Sequence, residues 1–484
     1  MAGRSRILVA GVIGQACLVA IGVIWWVANL GIIPPYGDTR QYFELSESLK
    51  VDQYRTLFYP LLLRGLRGSA RLLHTRIELV VDLLQTAAAL MSVAYLGRAL
   101  WDVAATTTRF AFLGRVSPTN RRLVIGASAV VVFTEPLVNH FALSVMTDSL
   151  AASFTTAGVA ALVRIAVLGE TRLRNGIVGW LTIFAASFMR TEKVLVFASV
   201  IALALAVLAA WGPRATGPGG PLSRRRRLRI VALLATLLVT PGAVVFAINR
   251  ATQTADYGWP PATVAVRLFV RTTWPHLADI RPQLSPEAQA TLSAADASRF
   301  DGNYNEYLSL VPRLLRSAGG TDRLINEISL VALRRHGVDI AASTAVDALR
   351  NVAPMIAYPV DIAVSARSAS RWTDSRMSMA HPRLTRIYLV VATIVLVAVQ
   401  LPLLFLALIR RAGREPRIAF AAVLVIGTAL ANAVLYAMLK GQQNVRYAMT
   451  AYVLVYTVLV WANVAVIADG RRPSVTDGAE GSAP

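Results

Sequence analysis

The sequence predicts an all-α polytopic membrane protein of about ten transmembrane helices. Three observations predict it. Apolar runs of about 20 residues, the length that crosses a bilayer, recur along the chain. Only 16% of the 484 residues are charged and 55% are hydrophobic, with a mean hydropathy of +0.54, whereas soluble domains carry about 25% charged residues. Arginine is concentrated in alternate connecting segments, the pattern of cytoplasmic loops.

The first apolar run, Ile7 to Leu30, follows Arg4 and Arg6 and places the N-terminus on the cytoplasmic side. It is too long for a signal-peptide core and reads as a retained helix. The chain emerges at Gly31, so Asp38 stands outside the membrane. Tyr42, Leu45 and Leu49 recur at helical spacing within Thr39 to Leu49, which predicts a short helix lying on the surface. A polar and aromatic stretch, Asp52 to Pro60, leads into a short apolar run ending at Leu66.

Further spans are expected at Ile77–Leu100, Leu123–Thr134, Ser149–Leu168, Ile177–Met189, Val194–Trp211, Ile230–Asn249, Leu384–Ile409, Ile418–Leu439 and Ala448–Ile467. The third of the ten is short and stops at Glu135-Pro136. Inner segments carry Arg109, Arg115, Arg121 and Arg122, then Arg172 and Arg174, then the Arg224 to Arg227 run behind a Pro/Gly-rich linker. Arg410, Arg411, Arg414 and Arg417 follow, and Arg471 and Arg472 close the chain, so both termini are expected inside. The formal net charge of +22 is therefore mostly a topology signal, and no nucleic-acid partner is implied. The single cysteine, Cys17, excludes an intrachain disulfide.

Four regions result: a membrane module over 1–249 with its first outer loop at 31–76, an outer segment over 250–383, membrane helices over 384–467, and a disordered tail over 468–484. The outer segment lacks a spanning run and shows helical patterns at Pro286–Ala297, Tyr304–Arg316 and Asp322–His336. No internal repeat is visible.

Ionisable residues gather at the outer ends of the spans: Asp38, Glu78, Asp82, Glu135, Asp148, Arg190, Glu192, Lys193, Lys440 and Arg446, with Tyr447 beside the last. Each also has a structural reading. Asp38-Thr39-Arg40-Gln41 fits a capping box, and Asp148 can cap the fourth span. Glu78 and Asp82 share a helix face and can pair with Arg71 or Arg76. Arg190 and Arg446 can snorkel to headgroups. The histidines show no metal-ligand spacing, and no metal site is assigned.

In order, Gly37-Asp38 with Tyr42, Tyr54 to Pro60, Met146-Thr147-Asp148-Ser149-Leu150, Met189-Arg190-Thr191-Glu192, and Arg446-Tyr447 resemble the motifs of the GT-C superfamily of membrane glycosyltransferases. That group includes the protein O-mannosyltransferases and the lipid A aminoarabinose transferase. The resemblance covers about residues 1–200 and 418–467. It implies a polyprenyl-phosphate sugar donor, inverting transfer onto a cell-envelope acceptor (glycan, lipid or protein), an outer-face site in the plasma membrane, and a catalytic aspartate at Asp38. Several members carry an Asp-Glu pair where this chain has Asp38-Thr39, so a divalent cation is compatible but not specified.

The chemistry agrees with a lipid-linked donor, because the chain has no Gly-rich nucleotide loop. A phosphate leaving group needs cations, and Arg190, Lys193, Arg446 and Arg55 are at hand. Asp38 is the candidate base for the acceptor hydroxyl. Tyr42, Tyr54 and Tyr59 either stack on sugar or anchor at the interface. Tyr447, Glu135, Asp148 and Glu192 complete the candidate substrate-binding set. The alternative from another class is a multi-pass transporter or lipid flippase, which calls for broken helices and polar groups at mid-depth.

Overall fold

The computed structural model describes residues 2–32, 37–49, 56–107, 110–211, 216–217, 220–221, 223–252, 276–294, 322–352, 381–409, 415–440 and 445–469. The described chain is helical, apart from one two-residue antiparallel pairing, Thr216–Gly217 with Gly220–Pro221, in the Pro/Gly-rich linker. The helices are α1 (Ala2–Asn29), α2 (Gly37–Ser48), α3 (Phe58–Leu72), α4 (Ile77–Ala105), α5 (Pro118–Phe133), α6 (Pro136–Ala142), α7 (Thr147–Ala166), α8 (Leu173–Met189) and α9 (Lys193–Trp211). They continue with α10 (Arg224–Thr252), α11 (Leu277–Ile280), α12 (Pro286–Ala294), α13 (Asp322–Val352), α14 (Pro382–Val395), α15 (Leu401–Ile409), α16 (Pro416–Lys440) and α17 (Val445–Asp469). A π-helical turn, Leu396–Gln400, joins α14 to α15.

Seven described helices are long and apolar enough to cross a membrane, or eight if the bent pair α5–α6 is one span. The chain is thus a helical multi-pass membrane protein. The expected fifth and tenth spans fall on shorter apolar stretches, Leu173–Met189 and Met449–Val464. The expected third span is a broken helix, with α5 and α6 meeting at 82°. Pro136 causes the break: proline lacks the N–H that would continue the ladder and forces the residue before it out of the helical region. Glu135 is accordingly extended (φ −69°, ψ 135°), and Pro136 opens α6.

The surface helix expected at Thr39–Leu49 is α2, which begins at Gly37 and so places Asp38 in its first turn. The apolar run ending at Leu66 is part of α3, whose apolar face packs on α2 while Arg67 pairs with Glu47 at 2.8 Å. Of the expected outer-segment helices, the first ends at Ala294 and the last runs on to Val352 through a kink at His336. Tyr304–Arg316 lies outside the described residues, as does the expected tail from residue 470 onward.

The centre of the bundle is α7, enclosed by α4, α8, α9 and α17. Its sequence is rich in Ala, Ser, Thr and Gly, the small residues that let helix backbones approach closely without a hydrophobic driving force between them. At Gly158 an added Cβ would stand 2.9 Å from the Phe197 ring.

The two ends of the bundle differ in chemistry. At one end Arg164 (α7) pairs with Asp102 (α4) at 2.9 Å and with Glu170 at 3.0 Å. Arg226, Arg227 and Arg417 donate there to the backbone carbonyls of Gly169, Leu208 and Thr106, close to helix C-termini where a cation is favoured. At the other end the C-terminus of α1 meets the N-terminus of α4, where the Gly31 N–H donates to Asp82 Oδ2 at 2.8 Å. Gly31 leaves α1 at φ +78°, a left-handed conformation that favours glycine, and among the described residues nothing within 4 Å would obstruct a side chain there. Gly31→Ala is therefore expected to cost about 1–2 kcal/mol through backbone strain alone, read as a lower melting temperature in detergent with bundle packing unchanged.

Candidate functional site

The site is built on the N-terminus of α7. The turn that leads into it is held from α4: Gln85 Nε2 donates to Ala142 O at 3.2 Å and to Ser144 O at 2.8 Å. Asn139 Nδ2 ties α6 to α1 by donating to Gly22 O at 2.9 Å. The chain approaches one backbone so closely here that a Cβ on Gly22 would lie 2.7 Å from Thr134 Cβ. Every residue from Val132 to Ser153 is buried, so this turn lies inside the protein although it connects two membrane helices.

Asp148 stands in the first turn of α7, where the helix dipole favours a carboxylate. It does not cap the helix. Its Oδ1 pairs with Arg190 Nη2 at 2.6 Å, and both side chains are buried, at 3% and 7% exposure. Arg190 belongs to the break between α8 and α9, extended at φ −143°, ψ 104°, which turns its side chain back into the bundle. Its Nη1 also reaches Glu192 Oε1 at 3.1 Å and the Tyr436 hydroxyl at 3.3 Å. Tyr436 donates to Glu192 Oε1 at 2.9 Å and closes the ring. Burial works against the Arg190 charge, but Asp148, Tyr436 and Glu192 outweigh it and hold the guanidinium above its ordinary pKa. Arg190 therefore does not snorkel.

Lys193, at 1% exposure, opens α9 and is as deeply buried. Its Nζ donates to Asn432 Oδ1 and, at 2.9 Å, to Thr450 Oγ1, and it lies 5.3 Å from the centre of the Tyr436 ring. Neutral oxygens and an aromatic face are among the groups that hold this cation.

Helix α2 covers this cluster. The Tyr42 hydroxyl lies 3.3 Å from Thr147 Oγ1, and Thr39 Oγ1 donates to Val145 O at 3.5 Å. Tyr42 and Tyr59 meet edge to face, 4.9 Å between ring centres. Both are buried. Burial, then Tyr42, Asp82 and Asp148, push the Tyr59 phenol well above its ordinary pKa, so it stays a neutral donor, and its hydroxyl has no partner among the described residues.

The predicted residues thus fall into three groups. Tyr42, Tyr59, Asp148, Arg190, Glu192 and Lys193 come together. Asp38 is carried by the first turn of α2, one residue before Thr39, and position 446 stands one turn before Thr450 on the same face of α17. The side chains of Asp38, Lys440, Arg446 and Tyr447, and all of Tyr54 and Arg55, lie outside the described residues. Glu135 belongs to a different cluster. It accepts from the Tyr452 hydroxyl, Tyr452 stacks on Tyr456 at 5.7 Å, and Tyr456 donates to Gln400 Oε1 at 2.5 Å beside the π-helical turn. Thr450 and Tyr452 are two residues apart and so point to opposite sides of α17, which separates the two clusters. Glu78 lies 3.8 Å from Arg76, whereas Asp82 takes the Gly31 N–H instead of an arginine.

Sequence reasoning missed Asn432, Tyr436, Thr450 and the Gln85 brace, and it named Thr147 only as part of a motif. A signal existed for two of them: Asn432 and Tyr436 are polar groups four apart in an otherwise apolar span, so they share one face. Among the described residues no three His, Cys, Asp or Glu side chains are grouped so as to hold a metal ion. No family model matches the chain, and neither a curated protein nor a solved structure was found to match it.

Proposed function

We propose that the chain is a GT-C-type membrane glycosyltransferase that moves a sugar from a polyprenyl-phosphate donor to a cell-envelope acceptor. The full topology of this reading is ten spans in the plasma membrane, with both termini and the arginine-rich end cytoplasmic and the Asp148–Arg190 end facing out. The observation that carries it is the meeting, at one end of the bundle, of segments remote in sequence: α2 with Asp38 and Tyr42, the Met146–Leu150 stretch, and the Met189–Glu192 break.

In this reading Asp38 takes the proton from the acceptor hydroxyl. The acceptor oxygen then bonds to the anomeric carbon as the carbon–oxygen bond to phosphate breaks, inverting that centre. Polyprenyl phosphate leaves with the bonding electron pair, and Lys193, Arg446 and Arg55 stabilise its charge. Arg190 is engaged by Asp148 and Glu192, so its part is to hold the α8–α9 break and the start of α7 in register beneath α2. Membrane lipid carries the donor to the site, and a divalent cation remains compatible with the phosphate.

The test is transfer by the purified protein in lipid nanodiscs, with radiolabelled polyprenyl-phosphate sugars and extracted envelope acceptors. Label is expected in the acceptor with inverted anomeric configuration. A transporter or flippase is the second reading, favoured by the 82° break at Glu135-Pro136 and the buried turn behind it. No transfer from any donor, together with movement of labelled polyprenyl lipid across proteoliposomes, would replace the first reading with the second.

A further inference from the structure

The arginine-rich end carries a second site, remote from the Asp148–Arg190 cluster. A cleft of about 520 Å³ opens between α1, α4, α5, α15 and α17, lined by Gln15, Trp101, Leu113, Ala127, Leu403 and Asn463 among others. Its wall is mostly apolar; its polar side chains include Ser128, whose hydroxyl donates to Val124 O at 2.8 Å, and two primary amides. Asn463 is 6% exposed, and among the described residues neither its Oδ1 nor its Nδ2 has a hydrogen-bond partner; Gln15 Oε1 has none there either. A buried amide that makes none of its hydrogen bonds is costly in an apolar wall. The Asn463 Nδ2 donor, facing this cleft, therefore points to an occupant that is mostly hydrocarbon but carries an oxygen able to accept a hydrogen bond.

Depth identifies that occupant. Asn463 lies six residues before Asp469, the last described residue of α17, about 9 Å along the helix axis. Arg115 follows the lining residue Leu113 in the same 3₁₀ turn, Ala111–Arg115, and Arg122 precedes the lining residue Val124; both arginines are exposed. A lipid whose phosphate is level with these arginines places its glycerol esters at the depth of the amides and its chains along the apolar wall. We propose that this cleft binds an anionic diacyl phospholipid of the leaflet at the arginine-rich end, with Asn463 Nδ2 donating to an ester carbonyl, Gln15 beside it, and Arg115 and Arg122 on the headgroup side. A polyprenyl chain lacks the ester oxygen that Asn463 requires, so this site is not the donor site of the proposed transfer and does not depend on it.

The full-length protein is reconstituted in nanodiscs of phosphatidylglycerol and phosphatidylcholine, transferred to detergent, and its retained lipid is counted by native mass spectrometry. Wild type is expected to keep a single phosphatidylglycerol in preference to phosphatidylcholine. Asn463→Leu should retain it roughly five- to tenfold less well, the size of one hydrogen bond lost in an apolar setting. Ala127→Trp, which fills the cleft, should abolish retention, and Arg115→Gln with Arg122→Gln should remove only the preference for phosphatidylglycerol. Equal retention by wild type and Asn463→Leu overturns the proposal. So does a higher melting temperature for Asn463→Leu with lipid retention unchanged, because that is the result for an amide that merely faces hydrocarbon.

Discussion

Arg190→Met is expected to destabilise the protein by about 3–5 kcal/mol, the cost of leaving a buried charge without its partner. The substitution keeps the length and apolar volume of the stem but removes the guanidinium that pairs with Asp148 and Glu192 and touches Tyr436. Asp148, 3% exposed, then loses the guanidinium that it meets at 2.6 Å. The double variant Asp148→Leu with Arg190→Met should recover the part of the loss that comes from Asp148, since it removes that buried carboxylate too, but not the part that comes from Glu192. Melting temperature in detergent, measured across the four members of the cycle, checks this. Additive losses would mean that the two side chains are not coupled. Because Arg190 is held above its ordinary pKa, its favourable charge is fully present below that ordinary value and is lost only as pH rises through the folded one. Its contribution should therefore be flat between about pH 5 and 9.

Asp38→Asn is expected to lower transfer by roughly 100- to 10,000-fold, the usual contribution of a positioned general base, with the melting temperature unchanged. The choice of asparagine separates the two roles the sequence allows. Asn serves a helix N-terminus about as well as Asp, so a structural role survives the change, whereas an amide cannot accept the acceptor's proton. Asp38→Ala removes both capacities. If Asp38→Asn transfers at the wild-type rate while Asp38→Ala fails through a lower melting temperature, Asp38 is a helix-terminal residue only. The start of α2 at Gly37 makes this comparison informative, because position 38 already sits inside the first turn.

Much of the fold was legible from local pattern. Apolar runs located the membrane helices, because each helix in lipid must satisfy its own backbone and so must be written contiguously. Arginine spacing separated the two ends, and the structure gathers the arginine-bearing connections at one end, around Asp102, Gly169 and Leu208. Glu135-Pro136 announced the break in the third span, since proline acts on its immediate neighbours. The candidate site was legible as residue types near helix ends. Its pairings were not: the sequence allowed Asp148 to cap a helix or to serve the site without naming Arg190 as its partner, and it did not show that Tyr42 and Tyr59 meet each other.

The sequence by itself determined that the chain is a helical membrane protein with chemically distinct ends, because hydropathy and charge act over one helix length at a time. Only the tertiary structure decided that Arg190 and Asp148 belong together, that Lys193 is held by Asn432 and Thr450, and that Glu135 lies beyond α17 in a separate cluster. Those choices depend on which helices pack side by side around α7, and small-residue packing of that kind leaves no period or spacing in the chain from which the neighbour could be read.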